Sequence, residues 1–136
     1  MKFTSELFSL TIISTATALM WVPYVTARMT MHGVMPAIGH PGPGYPVDPP
    51  WVDRARRAHL NAIENLAVFA PMVLVAAIVE VSTGATVLSA QVYVAARIVH
   101  YVIYAAGIPI IRTVAFLVGA CATLVIALAL LQAAVS

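Results

Sequence analysis

The sequence predicts an all-α integral membrane protein, folded as a bundle of four transmembrane helices. Of its 136 residues, 62% are hydrophobic and only 9% are charged, whereas a soluble domain is about half apolar and a quarter charged. Four apolar runs each reach the length of about 20 residues that a helix needs to cross the hydrocarbon core. This number of charged residues is too small to cover the surface of a protein folded in water. We therefore expect lipid to solvate most of the surface of this chain.

We predict a single domain over residues 1–136, with helices at about 5–27, 52–81, 85–107 and 109–134. The turns at residues 82–84 and 107–109 are short, which makes sequential helices antiparallel neighbours in a bundle. Lys2 followed by an apolar run also fits a secretory signal peptide, with residues 25–27 as its cleavage site. The length of the run favours a membrane span.

The one long connection, residues 28–51, is predicted to be irregular because proline removes a helical donor and clashes with the preceding turn. Its prolines are Pro36, Pro41, Pro43, Pro46, Pro49 and Pro50. Most basic residues fall on the same side of the four spans as this loop. The positive-inside rule then puts the loop in the cytoplasm and both termini outside it, as in a multi-pass protein of a bacterial inner membrane or its equivalent.

Composition also excludes several classes of function. The net charge of +2 comes without a long basic run, which argues against nucleic acid as a partner. The single cysteine, Cys121, excludes a disulfide framework, and without a Cys/His cluster no metal site is expected. The extracytoplasmic half is apolar and the expected cleft is one-sided, so a transporter or channel is a weaker hypothesis.

Polar residues recur at helical spacing inside the predicted spans. On the second helix they are Arg54, Arg57, Asn61 and Glu64; on the third they are Arg97, His100 and Tyr104; the fourth opens with Arg112 and Thr113. Spacings of three and four residues put each set on one helix face. Ionisable groups in a membrane are costly and therefore indicate a functional site.

We expect Glu64 and Arg97 to lie at similar depth and to form an ion pair. The remaining arginines, together with Arg28, exceed the acids available near them. This excess predicts a cationic cleft for an anionic ligand that is held by forked guanidinium contacts. The alternative is structural: polar side chains that hydrogen-bond across helices and hold the bundle together.

These motifs resemble the family of membrane-associated proteins in eicosanoid and glutathione metabolism (MAPEG). The pattern R-A-x-x-N-x-x-E, from Arg57 to Glu64, is similar to the family's second-helix signature, and R-x-x-H-x-x-x-Y, from Arg97 to Tyr104, to its third-helix motif. The stretches 111–114 and 21–24, with Arg28, are also similar. The resemblance covers essentially the whole chain.

The resemblance implies a homotrimer with glutathione, a co-substrate, bound between neighbouring subunits. The glutathione-binding residues would be Arg57, Asn61, Glu64, His100 and Tyr104, with Arg28 and Arg54 as weaker candidates and Arg97 on the same face. Arg112 would hold the thiolate, since a nearby cation lowers the pKa of a thiol, and Thr113 would donate its hydroxyl near the sulfur. Two departures are Leu60, where relatives often carry a basic residue, and Phe116, where several carry tyrosine.

Two functions fit this sequence. The first is a glutathione transferase or peroxidase that acts on lipophilic electrophiles or lipid hydroperoxides reaching it from the membrane lipid. The second is a non-catalytic membrane protein that binds a lipid or a partner in the same groove. Arg112 with Asn61, Glu64 and Tyr104 favours the enzyme, whereas Leu60 and Phe116 favour the alternative.

Overall fold

The computed structural model describes residues 2–39 and 42–135, which are helical apart from short connections. The helices are α1 (Ser5–Leu19), α2 (Trp21–His32), α3 (Val34–Ile38), α4 (Pro50–Ile78), α5 (Gly84–Ala106) and α6 (Pro109–Val135). Four helical stretches are long and apolar enough to cross a membrane: Ser5–His32, Pro50–Ile78, Gly84–Ala106 and Pro109–Val135. The predicted four-span membrane fold is confirmed.

The first span contains α1 and α2, which meet at a break at Met20. Pro23 explains the break, because a proline ring displaces the carbonyl four residues earlier and supplies no N–H. The displaced carbonyl is that of Leu19, and the next one, of Met20, accepts a hydrogen bond of 2.8 Å from the Tyr101 hydroxyl on α5. The proline therefore accounts for the break, and a side chain from a neighbouring helix contacts the backbone there.

The prediction that residues 28–51 are irregular is wrong at its start. Helix α2 continues to His32, and a short helix, α3, follows directly after Gly33. Pro36 is tolerated because it lies in the first turn of α3, where its missing N–H has no intrahelical partner. Pro41 lies outside the described residues.

The four spans share one apolar core. It is built from Ile13, Phe69, Val73, Ala90, Tyr93, Ala122 and Ile126. The rings of Phe69 and Tyr93 are stacked, with centroids 3.7 Å apart and planes 3° from parallel. Helix α5 lies at the centre of the bundle, since it packs on α1, α4 and α6.

At one end of the bundle, which we call the terminal end, Glu6 joins α1 to the turn between α4 and α5. Its carboxylate is 2% exposed. It accepts hydrogen bonds from the Thr86 hydroxyl at 2.6 Å and the Ser82 hydroxyl at 3.0 Å. Thr86 also belongs to the capping box that starts α5. We call the opposite end, with the 33–49 connection, the loop end; its assignment to the cytoplasm remains a prediction.

We expect Glu6→Ala to destabilise the bundle, because it leaves the buried Thr86 hydroxyl without its charged acceptor and removes the hydrogen bond from the more exposed Ser82. Hydrogen bonds to a charged group contribute about 1.5–3 kcal/mol each, so the unfolding midpoint in detergent should fall by several degrees. Glu80→Gln, at an exposed residue of the same end, is the matched control and should unfold like the native protein. Equal midpoints for the two variants would contradict the role given to Glu6.

Candidate functional site

A small polar hollow lies at the loop end, where α4, α5 and α6 meet; we call it the arginine pocket. Its volume is about 240 Å³, and its lining residues are Asn61, His100, Tyr104, Arg112, Thr113 and Phe116. Three helices contribute, because Asn61 lies on α4, His100 and Tyr104 lie one turn apart on α5, and the rest lie in the first turns of α6. No acidic residue lines it. Five of these six residues were predicted, and Phe116 is the addition.

Arg112 provides the charge at this pocket. The carbon of its guanidinium lies 4.4 Å from the centre of the Tyr104 ring, on the ring face. Such cation–π contact holds a guanidinium in place without neutralising it. The Tyr104 ring in turn meets the His100 ring edge to face, at 5.5 Å. Arg112 forms no salt bridge within the described residues, so its charge is available to an anion.

Thr113 also lies at the pocket, but its hydroxyl is already used. It donates a hydrogen bond of 3.0 Å to the carbonyl of Pro109, four residues earlier on α6. In this conformation the Thr113 oxygen can only accept a hydrogen bond from a ligand. The donor role that the resemblance implies therefore requires the hydroxyl to rotate away from Pro109.

Arg97 lies behind the pocket, inside the bundle, with 1% of its surface exposed. Its Nη1 donates to Asn61 Oδ1 at 3.2 Å, and its Nη2 donates to Asn65 Oδ1 at 2.9 Å. Its guanidinium also lies beside the rings of Tyr93 and Phe116, at 5.4 and 5.2 Å. Amide oxygens and aromatic faces thus surround a cation that has no carboxylate partner in the described chain.

The predicted ion pair between Glu64 and Arg97 is therefore wrong within one chain. The residues of α4 that face Arg97 are Asn61 and Asn65, one turn apart. Glu64 lies about 100° around the helix from Asn65 and is exposed on the outer surface of the bundle. The stripe of polar residues was placed correctly along α4, but Glu64 lies at its outward edge.

Gly119 makes room for Arg97 between α5 and α6. A Cβ atom at this position would lie 2.9 Å from both Nε and Nη2 of Arg97. Real Cβ atoms essentially never come that close, so a larger residue would displace the guanidinium. The close approach of Gly119 therefore sets the position of the Arg97 guanidinium. That position is next to the arginine pocket, because Asn61 and Phe116 contact Arg97 and also line the pocket.

Arg54 does not reach the pocket. Its Nε donates a hydrogen bond of 3.0 Å to the carbonyl of Ala105, in the last turn of α5. The side chain lies against Gly107, where a Cβ atom would be 3.1 Å from the guanidinium. A cation at a helix C-terminus satisfies free carbonyls and is attracted by the helix dipole. Arg54 thus ties the start of α4 to the end of α5.

Arg57 and Arg28 are each engaged by an aspartate. Arg57 Nε lies 2.8 Å from an oxygen of Asp53, one turn earlier, and both side chains are well exposed. Arg28 makes a largely buried salt bridge to Asp48, which immediately precedes the prolines that start α4. Neither arginine lines the arginine pocket, so the single cationic cleft that was predicted is divided in one chain.

Three residues that take part in these contacts were not predicted from the sequence. Phe116 was noted only as a departure from relatives, although its place one turn after Arg112 indicates the same face. Asn65 repeats the spacing of Asn61 by one helical turn, and that signal was available. Asp48 lies 20 residues from Arg28 in a connection without periodicity, and no sequence pattern predicts their contact.

The other hollows of the described chain have no arginine in their lining. One of about 370 Å³ at the terminal end is lined by Lys2 and Glu80, which balance one another in charge. Two others, of about 400 and 300 Å³, are apolar grooves between α5 and α6 on the outside of the bundle. The arginine pocket is therefore the candidate functional site, even though it is smaller.

Residues 8–132, nearly the entire chain, match the sequence profile of the MAPEG family. The chain belongs to the MAPEG family. No curated protein matches it. This membership supports an integral, multi-pass membrane protein, and the MAPEG family includes glutathione transferases and peroxidases among other members. The arginine pocket of this MAPEG protein lies where the second-, third- and fourth-helix motifs meet.

We predict a strong energetic coupling between Arg97 and Asn65. Leaving a buried polar group without its partner costs about 1–3 kcal/mol, and more when the group is charged, so Arg97→Leu and Asn65→Leu should each lower the unfolding midpoint in detergent. The double variant should cost much less than the sum, because neither partner is then left unpaired. Additive losses would show that the two side chains do not depend on one another.

Proposed function

We propose that this MAPEG protein binds glutathione, with its sulfur in the arginine pocket, and activates the thiol for reaction with lipophilic electrophiles or lipid hydroperoxides. The observation that carries the proposal is a half-buried cation, Arg112, held over Tyr104 at the mouth of a pocket whose described lining has no acidic residue. Arg97 adds a second positive charge behind the same wall. Both charges favour an anion over its neutral acid.

The residues present fit a thiol that must become a thiolate. A fixed cation lowers a thiol's pKa, and the thiolate is the reactive nucleophile. Arg112 stabilises the negative charge on the sulfur, and the proton leaves to water at the open mouth. Asn61 offers an amide to the peptide groups of the ligand, while His100 and Tyr104 form the aromatic wall that orients it.

Glutathione would supply the sulfur, which would bond to an electrophile as its leaving group departs. With a hydroperoxide, the sulfur would bond to the outer oxygen as the O–O bond breaks and the alcohol leaves. A second glutathione would then release that oxygen as water and form the disulfide. The second substrate would come from the membrane, because the outer faces of α5 and α6 next to the pocket are apolar. Arg112 and Phe116 lie on the helix that borders both the pocket and the lipid. The MAPEG protein would therefore join a water-soluble thiol to a lipid-soluble partner.

The lining of the arginine pocket also supports one alternative. Phe116 provides a ring where a hydroxyl would help to orient a thiol, and two nearby arginines suit the phosphate of a lipid headgroup. In that case the pocket binds a lipid without chemistry. Thiolate formation separates the two functions.

We expect glutathione added to the purified protein at neutral pH to give the ultraviolet difference absorbance of a thiolate. Arg112→Ala should abolish the signal, Arg112→Lys should retain part of it, and Arg56→Ala is the matched control for removing a basic residue outside the pocket. Gel filtration checks that each variant is intact. Absence of a thiolate signal and of calorimetric glutathione binding in the native protein would refute the enzyme proposal and leave the lipid-binding alternative.

A second proposal concerns assembly: the pocket is completed in a homotrimer. Its volume of about 240 Å³ is below the range of about 300–1,000 Å³ for ligand pockets. Glu64 lies about 20 Å along α4, yet it is exposed on the single chain. A carboxylate facing hydrocarbon is costly, so we propose that neighbouring subunits cover this face and bring Glu64 and Arg57 to the ligand.

Native mass spectrometry of the detergent-solubilised protein tests this assembly. We expect a species of three times the chain mass of 14.4 kDa. Glu64→Leu should retain the trimer but weaken glutathione binding, if the carboxylate contacts the ligand's ammonium. A monomer that binds glutathione as tightly as the intact sample would contradict the proposal.

Substitution of Asp48 tests whether Arg28 takes part in glutathione binding. Because Asp48 already neutralises this arginine, Asp48→Asn should free the guanidinium and tighten glutathione binding severalfold, measured by calorimetry. Asp53→Asn, which instead frees the exposed Arg57, provides the comparison for the other predicted ligand residue. Unchanged affinity in Asp48→Asn would mean that Arg28 only holds the loop end together.

A further inference from the structure

A group of apolar side chains at the loop end has no cover from the other residues that the structure describes. Met31 lies at the end of α2, and Val34, Met35 and Ile38 lie on α3; all four are exposed, Met35 by 75% and Ile38 by 63%. Helix α3 has no polar side chain, and α2 is the one helix of the described residues on which it packs. Contact of these apolar side chains with water is unfavourable, which favours an apolar environment around α3.

The position of α3 relative to the membrane follows from the length of the span before it. The helical stretch Ser5–His32 has 28 residues, which at about 1.5 Å per residue extend about 42 Å. The hydrocarbon core is about 30 Å thick. The ends of this span therefore reach the headgroup region, and α3 begins there.

The geometry of α3 presents its apolar residues together. Gly33, at φ +84°, ends α2 and turns the chain aside, a conformation that glycine adopts without a steric penalty. Val34, Met35 and Ile38 then fall within about 100° of one another around the helix. We call these three residues with Met31 the α3 face.

We propose that the α3 face inserts into the boundary between headgroups and acyl chains at the loop end, as an interfacial anchor. Apolar side chains on a helix at this level partition into that boundary. The polar groups beside it, Arg28, His32 and Asp48, contact one another and remain at headgroup level. The partner is a lipid surface, and the face continues the lipid-covered surface of α2.

Fluorescence quenching in lipid nanodiscs tests the anchor. On a Cys121→Ala background, single cysteines replace Met35 or Ile38 and carry a bimane label. Val47→Cys is the matched control, because Val47 is also apolar and 92% exposed but lies outside the α3 face. Phosphatidylcholine with a nitroxide near its headgroup reports contact with lipid, and iodide reports contact with water.

We expect the nitroxide to quench labels at 35 and 38 at least about twofold more than at 47, with the opposite order for iodide. Labels at 35 and 38 that behave like the one at 47 would overturn the proposal, as would protection from both quenchers, which would mean that protein covers the α3 face. Monodisperse elution and an unchanged melting temperature qualify each labelled sample. If one position fails this check, the other still decides the question.

Discussion

The arrangement of this protein depends on a guanidinium that is buried in a membrane bundle without a carboxylate partner. Placing a lone charge in a medium of low dielectric is costly unless hydrogen bonds and polarizable groups replace water. Arg97 receives two amide oxygens from α4, aromatic faces from α5 and α6, and a glycine surface from α6. Three helices therefore meet around the Arg97 side chain, and its contacts constrain their relative positions.

The same constraint shapes the pocket in front of it. Asn61 and Phe116 each touch Arg97 on one side and the hollow on the other. A carboxylate beside Arg97 would lower the cost of burial, but it would also cancel the positive potential that an anion experiences. With amides in its place, Arg97 stays uncompensated and reinforces Arg112. The proposed function depends on these two charges, Arg97 behind the pocket wall and Arg112 at the pocket mouth.

The spans were predictable because crossing hydrocarbon requires long apolar helices, a constraint that each run satisfies locally. The convergence of Asn61, His100, Tyr104 and Arg112 was predictable for a related reason, since helical spacing and antiparallel order bring them to one end. Helical spacing left the partner of Arg97 open, because Glu64 and Asn65 lie three and four residues after Asn61. A rotation of about 100° around α4 decides between them. The extension of α2 and the contact of Arg28 with Asp48 depend on the path of a proline-rich connection, which follows no periodic rule.

Arg54 and Arg57 show a second limit of reading function from charge. Both lie on the predicted stripe, yet one closes the end of α5 and the other pairs with Asp53 one turn away. An arginine near a membrane boundary has structural uses that compete with ligand binding. Within the described chain, Arg57 has an acidic partner and Arg54 a backbone partner, whereas Arg112 faces the pocket with an aromatic contact alone. This difference is visible only in three dimensions.

Calorimetric titration of the protein in nanodiscs with glutathione and with S-methylglutathione tests whether the arginine pocket holds a thiolate. The two ligands carry the same carboxylates and ammonium and differ in whether the sulfur can ionise. If the arginine pocket holds a thiolate, glutathione should bind at least about tenfold more tightly, a difference of about 1.4 kcal/mol, and Arg112→Ala should remove that difference. Equal affinities in the native protein would contradict the account.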